Sequence, residues 1–361
     1  MCAAGSFAMT DPVFRLRAGA RALEHIRRNG LSPDDIACIP AAAGGPKGLA
    51  LIPLDRWLFG EWLPRGKSMP TLVGASIGAW RMSAGAQADP LAALDRLAQA
   101  YVHSQRYRVG VTPSEVAQKI VGLAESVAQP WAARPDVPLR VIVSRAVGPL
   151  AGRTSRTAFA RIAVSNALSR ARLARHLDRH VFASGPASPV DGLWQDPFAT
   201  QHHPLGADNC VAALTASGSI PLICDAVGHI PGVPDAHYWD GGLIDYHIHL
   251  PYHRLPGLTL YPHFVEGLVP GWLDKFLPWR KQGFGKGPEW LSSMLLIAPS
   301  PALLAKLPNG KLPDRNDFYR YALDHDAREA AWRRAMGECE RIAEAFARWV
   351  EKPDPAQVLP L

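Results

Sequence analysis

Apolar and polar positions alternate along this chain in a way that separates short buried runs from longer amphipathic segments. Between Arg15 and Asn29 the apolar residues Leu16, Ala20, Leu23 and Ile26 recur with a helical period that Gly30 ends. Ile36-Ala37-Cys38-Ile39-Pro40 is a continuous apolar run, the pattern of a buried strand, and a glycine-rich loop leads from it into a helical stretch, Leu49 to Leu58. Thr71-Leu72-Val73 predicts a second strand, followed by a helix after Ser76 and another from Pro90 to about Arg106. Leu139 to Ser144 reads as a strand, Phe159 to Leu177 as a helix, and His180 to Ala183 as an edge strand. Asp208 caps a predicted helix that runs to Ser217. Leu258 to Tyr261 and Leu291 to Ile297 are further strands, and Arg328 to Lys352 is a closing amphipathic helix. Strands that alternate with helices predict an α/β sheet with helices on both faces.

Composition narrows the function classes more than the fold. With 361 residues, 48% hydrophobic and 20% charged, the chain suffices for one large α/β domain or two smaller ones. No stretch approaches the roughly 20 apolar residues of a membrane-spanning helix. Met1 to Thr10 lacks a basic start followed by a long apolar core, so no secretory signal is expected and residues 1–12 read as a flexible leader. Cys2, Cys38, Cys210, Cys224 and Cys339 are too scattered for a disulfide framework or a zinc knuckle, which makes a reducing cytoplasm the expected location. The net charge of +7 comes from arginines dispersed over helix faces, so nucleic acid is not an expected partner. A boundary is expected near Pro270 to Pro288, dividing a domain of residues 13–270 from a C-terminal extension, 271–361, packed on it.

The chemistry concentrates in the first of these parts. Gly74-Ala75-Ser76-Ile77-Gly78 stands between a predicted strand and a predicted helix. A serine at the tip of such a turn is crowded, and glycines two residues to either side let the backbone fold back without Cβ clashes. The free N–H groups of the new helix then lie beneath the reacting oxygen. With 31 glycines in the chain, a plain glycine-bracketed turn is the alternative. A serine nucleophile also needs oxyanion donors, and Ala43-Gly44-Gly45-Pro46-Lys47-Gly48 can gather backbone N–H groups into one concavity. Pro46 has no N–H, which leaves Gly44, Gly45, Lys47 and Gly48 as the donors. The spacing of a nucleotide P-loop is absent, because Gly48 and Leu49 follow Lys47. Asp240, after Tyr238-Trp239 and before Gly241-Gly242, suits a strand end that projects one carboxylate, although such a sequence on its own is also a turn.

Together with Ala216-Ser217-Gly218-Ser219-Ile220-Pro221, these motifs occur in an order that resembles the patatin-like phospholipase family. The resemblance spans most of residues 36 to 245. It implies a three-layer α/β/α sandwich around a mainly parallel sheet, and a Ser76–Asp240 dyad with no histidine, metal or cofactor. The implied reaction is hydrolysis of an acyl ester, the substrate being a lipid, with the oxyanion held by the loop around Gly45 to Gly48. An aspartate is a weak base for a serine, so its pKa must be raised by burial or its proton transfer concerted with attack. The chain departs from the family pattern at Ala43, where a further glycine is usual, at Lys47, where arginine is frequent, and at Leu243-Ile244-Asp245-Tyr246-His247, where asparagine and proline are frequent.

Other readings compete. His247 and His249, two apart on a strand, could share a metal with His253 and Asp245. An α/β-hydrolase triad could pair Asp240 with His247, His249, His253 or His263. A non-catalytic lipid-interaction protein could retain a degenerate elbow. Trp272, Leu273, Phe276, Leu277 and Trp279 beside Lys275, Arg280 and Lys281 suit a segment, Trp272 to Lys281, that inserts shallowly at an anionic membrane surface, the inner face for a cytoplasmic protein. A turn packed against the core is the alternative for that segment.

Overall fold

The continuous apolar runs form the middle of a mixed α/β fold. The computed structural model describes residues 12–148, 151, 155–280 and 287–361; the expected leader, except Pro12, and Lys281 of the aromatic segment lie outside them. The strands are β1 (Phe14–Ala18), β2 (Ile36–Ala41), β3 (Thr71–Ala75), β4 (Leu139–Ala146), β5 (Leu177–Ser184), β6 (Thr200–Pro204), β7 (Tyr238–Asp240), β8 (Leu258–Pro262), β9 (Met294–Pro299) and β10 (Val358–Pro360). They make one ten-stranded sheet in the order β10-β1-β9-β8-β2-β3-β4-β5-β6, with β7 joined to β4. Pairing is mostly parallel; β1–β9, β4–β5 and β4–β7 are antiparallel. Every residue of β3, β8 and β9 is buried, as expected for central strands covered on both faces.

The helices are α1 (Ala20–Asn29), α2 (Ile52–Trp57), α3 (Ile77–Gly85), α4 (Pro90–His103), α5 (Pro113–Ala128), α6 (Arg156–Leu168), α7 (Arg170–Leu173), α8 (Cys210–Gly218), α9 (Gly287–Trp290), α10 (Pro301–Lys306), α11 (Asn316–Tyr321) and α12 (His325–Glu351). One core gathers α2 to α5, α8 and α12 against the sheet, while a smaller one joins Ile162, Leu173, Leu177, Trp239 and Leu243. On β7 the two cores meet back to back: Tyr238 belongs to the first and Trp239 to the second, because successive strand residues face opposite ways. The segment 271–361 supplies β9 inside the sheet and β10 at its edge.

Several predicted boundaries shift. The helix read from Arg15 begins only at Ala20, because Phe14–Ala18 is drawn into β1 between β9 and β10, where Leu16 and Ala18 alternate inward. The helix read from Phe159 to Leu177 breaks at Ser169, whose hydroxyl caps α7, and Leu177 already belongs to β5. That strand is not an edge, since β6 pairs along its outer side. The helix expected to start at Asp208 starts at Cys210 with Asn209 in the capping position.

Where β3 turns into α3 the backbones come together with no room for a side chain. A Cβ on Gly78 would lie 1.9 Å from the Ala41 carbonyl oxygen, and one on Gly74 would lie 2.5 Å from the Ala79 backbone. Gly78→Ala is therefore expected to destabilise the fold by about 3 kcal/mol in a denaturant titration. Gly122, exposed in α5 with open space around its Cβ position, is the control: Gly122→Ala should stabilise by roughly 0.5–1 kcal/mol.

Candidate active site

Sheet register brings the two distant motifs together. β3 runs beside β4 as far as Ala75 opposite Ile142, and the next β4 residue, Val143, faces Asp240 of β7. β7 thus occupies the place that β3 leaves when it turns into α3, and Asp240 arrives beside Ser76. The Ser76 hydroxyl donates to Asp240 Oδ2 at 2.6 Å. Asp240 Oδ1 accepts from the Gly242 amide at 2.7 Å, which is what the glycine after the aspartate makes possible. Both side chains are buried.

Ser76 stands at the N-terminus of α3 with φ 56° and ψ −131°, a left-handed conformation that costs a non-glycine residue on the order of 1–3 kcal/mol. The block at residues 216–221 holds it there. The Ser76 amide donates to the Ser217 hydroxyl at 2.9 Å, which in turn donates to the Ile142 carbonyl at 2.8 Å. The Asp240 amide donates to the Ser219 carbonyl at 2.7 Å. Ser217 and Ser219 are therefore positioning residues, roles that only the folded contacts reveal.

Two cavities meet at this pair. One, of about 590 Å³ and mainly apolar, is lined by Ser76, Trp80, Tyr101, Val116, Ile120 and Leu123 among others. The other, of about 190 Å³, is lined by Asp240, Gly44, Lys47, Tyr246, Lys275 and Arg315 among others. Of the four loop residues expected to supply oxyanion donors, Gly45 lines the apolar cavity with Ser76, while Gly44 and Lys47 line the second. Gly48 lines neither; it packs on Ile77 so closely that a Cβ would lie 2.4 Å from that side chain. Arg315, which precedes α11 and lines both cavities, carries no sequence motif.

Burial pushes the Asp240 carboxyl up to about 6, against the hydrogen bonds from Ser76 and Gly242 and the charge of Arg315, which pull it down. No histidine bonds to Ser76 or Asp240 among the described residues. His247 accepts from the Val269 amide at 2.9 Å, and burial holds it well below the usual imidazole range. Burial likewise takes His263 to about 3 and His249 to about 4, so all three are neutral near pH 7.

The residues of the metal reading do not converge either. Asp245 forms a two-pronged ion pair with Arg179 at 2.6 and 2.9 Å, and His249 stacks on Trp290. Among the described residues, no three His, Cys, Asp or Glu side chains are grouped to hold a metal ion.

In the aromatic segment, the buried Asp274 accepts from Gly271, Asn166, Arg170 and Arg280, while Phe276 and Trp279 are 64% and 68% exposed. No helix among the described residues is long and apolar enough to cross a membrane. In comparisons with known proteins, no family model matches the chain and no curated sequence matches it.

The Ser76 hydroxyl thus has, in place and within hydrogen-bond distance, a buried carboxylate of raised pKa as the acceptor of its proton. The same burial is a stability liability with a defined sign. The folded pKa of Asp240 lies above the 3.8 of an unperturbed aspartate, so its unfavourable contribution is absent below pH 4 and grows as pH rises to about 6. The shift corresponds to about 3 kcal/mol. The stability difference between Asp240→Asn and wild type is expected to rise in favour of the variant from pH 4 to 6 and to level off above. Urea titrations across that range measure it, and a flat difference would refute the raised pKa.

Proposed function

We propose that the chain is a serine acyl hydrolase that cleaves carboxylic esters of lipids through a Ser76–Asp240 dyad, on a patatin-like α/β/α frame. The observation that carries this reading is the 2.6 Å hydrogen bond between a serine on a strained elbow and a buried aspartate, at the head of a large apolar cavity. The order of motifs in the sequence supports it independently.

In the acylation step Ser76 Oγ attacks the ester carbonyl as Asp240 takes its proton. The new Oγ–C bond places negative charge on the carbonyl oxygen, and the amides of Gly44, Gly45 and Lys47, the loop residues that line the two cavities, are the candidate donors to it. The ester C–O bond then breaks, and Asp240 returns the proton to the departing alcohol oxygen. Water, deprotonated by the same carboxylate, then attacks the acyl carbonyl; the Oγ–C bond breaks, the carboxylic acid departs, and Asp240 returns the proton to Ser76 Oγ. The apolar cavity suits the acyl chain. No histidine is needed in this scheme, because raised basicity at Asp240 does the work of an imidazole.

Fluorophosphonate labelling tests the nucleophile: wild type is expected to be labelled, and Ser76→Ala, with its fold intact, is not. Ester hydrolysis by Asp240→Asn should fall by at least about a thousandfold. Because only the carboxylate accepts the proton, kcat/KM should rise with pH to a plateau with an apparent pKa near 6. A pH profile that is level between 5 and 8 would count against Asp240 as the base.

Exposed apolar side chains support delivery of the substrate from a lipid surface, at the inner face of a membrane. Val109, Ile223, Tyr319 and Leu323, which line the apolar cavity, are exposed, as are Phe276 and Trp279. Vesicles containing anionic phospholipid are expected to retain the protein at high salt, and Phe276→Ala with Trp279→Ala to weaken retention at least about fivefold. Equal retention of the double variant in sedimentation would remove the aromatic segment from the contact.

A further inference from the structure

We propose that the Tyr101 hydroxyl is a side-chain donor to the oxyanion, supplying on the acyl side of Ser76 a hydrogen bond that the glycine loop cannot. The proposal rests on reading Ser76 as the acyl-accepting nucleophile.

The first argument is supply. An oxyanion is held by donors fixed in advance beside the point of attack. Pro46 has no N–H, and Gly48 is packed against Ile77, only 2.4 Å from where its Cβ would stand. Gly44 and Lys47 line the cavity on the Asp240 side. Of the loop residues with an amide to give, Gly45 alone shares the apolar cavity with Ser76.

The second argument is place. Tyr101, near the end of α4, lines the same cavity as Ser76 and Gly45. Gly45 has φ 57°, and a Cβ built on it would lie 3.6 Å from the Tyr101 hydroxyl oxygen. The phenol therefore stands against the open face of the loop, in the space that a side chain at position 45 would take. Its ring is fixed there: buried, it packs between Trp80 of α3 and Trp332 of α12, with ring centres 6.0 and 6.2 Å away. Trp80 is in turn anchored by its Nε1, which donates to the Leu214 carbonyl at 2.9 Å. A donor held by packing needs no reorganisation when charge develops.

The third argument is the proton. Gln105, the amide beside the phenol, already accepts from the Tyr107 hydroxyl at 3.4 Å, and its effect on Tyr101 is to favour the charged form, which is the action of a donor. No carboxylate or carbonyl accepts from the Tyr101 hydroxyl among the described residues. Burial raises the phenol above its ordinary range, against Arg315 and Gln105, so near pH 7 it keeps the proton it offers. Tyr101 transfers nothing in the reaction. Its hydrogen bond tightens as Oγ–C forms and the carbonyl oxygen gains charge, and slackens when the ester C–O bond breaks and the carbonyl re-forms.

A trifluoromethyl ketone and the matching methyl ketone on a short alkyl chain test this. The first adds Ser76 Oγ and forms a stable tetrahedral oxyanion; the second binds as a plain carbonyl. Tyr101→Phe, which keeps the ring packing, is expected to bind the trifluoromethyl ketone at least about tenfold more weakly and the methyl ketone within about twofold of wild type. In ester hydrolysis its kcat should fall by at least about tenfold with KM nearly unchanged. The apparent pKa near 6 should stay in place, since Asp240 is untouched. Placing 4-aminophenylalanine at position 101 restores a donor on the same ring, and should recover trifluoromethyl ketone affinity to within about fivefold of wild type. Undiminished affinity in Tyr101→Phe, equal losses for the two ketones, or no recovery with the amine overturns the donor role. Ser76→Ala separates the two levels. A preference for the trifluoromethyl ketone that needs Ser76 but not the Tyr101 hydroxyl refutes only the tyrosine, whereas folded wild type without any Ser76-dependent preference refutes the hydrolase reading and the oxyanion donor with it.

Discussion

The hydrogen bond between Ser76 and Asp240 depends on where one strand stops. β3 turns away at Ala75, and β7 enters the same lane beside β4 one residue later, from the opposite direction. Two residues 164 apart in sequence therefore face each other at a junction of strands, with the rigidity of the sheet behind both. Much else in the structure maintains that junction. The left-handed backbone at Ser76 persists because Gly74 and Gly78 allow the elbow to close against its neighbours, and because Ser217 binds its amide. A sheet-borne pair keeps its geometry more precisely than one carried on loops.

Buried ion pairs extend this support outward. Arg81 of α3 makes two hydrogen bonds to Asp55 of α2, at 2.6 and 2.7 Å, and so ties the elbow helix to the helix that follows the glycine loop. Arg179 of β5 binds Asp245 just beyond the Asp240-Gly241-Gly242 turn, and Asp274 gathers four donors immediately before Lys275. Such pairs gain little net stability over apolar packing, yet breaking one leaves a buried charge, so each fixes geometry strongly. Asp245 thereby belongs to the scaffold and not to a metal site.

The parts legible in the sequence are those whose constraint is local. The elbow, the glycine loop and the Asp240 turn follow from steric demands within a few residues, and β2, β3 and β8 from continuous apolar runs. β1 is hidden because Leu16 also fits the helical period of the segment after it. β6, Thr-Gln-His-His-Pro, is exposed and carries no apolar signal, and β10 is too short to show one. Lys275 and Arg315 escape for a different reason. Each is an ordinary surface-type residue in sequence, and only the approach of residues 272–276 and 314–316 to Gly44 and Lys47 turns them into a cluster. The positional roles of Ser217 and Ser219 are likewise invisible without the contacts they make.

The same cluster acts on the base. Arg315 pulls the Asp240 pKa down while burial raises it, so the basicity of the carboxylate reflects a balance between dielectric and charge. The charge of Arg315 reaches Asp240 from the stretch just before α11, far along the chain from the turn that carries the carboxylate, so the electrostatics of the Ser76–Asp240 pair are set by the folded arrangement of the cavity wall as well as by the Asp240-Gly241-Gly242 turn itself.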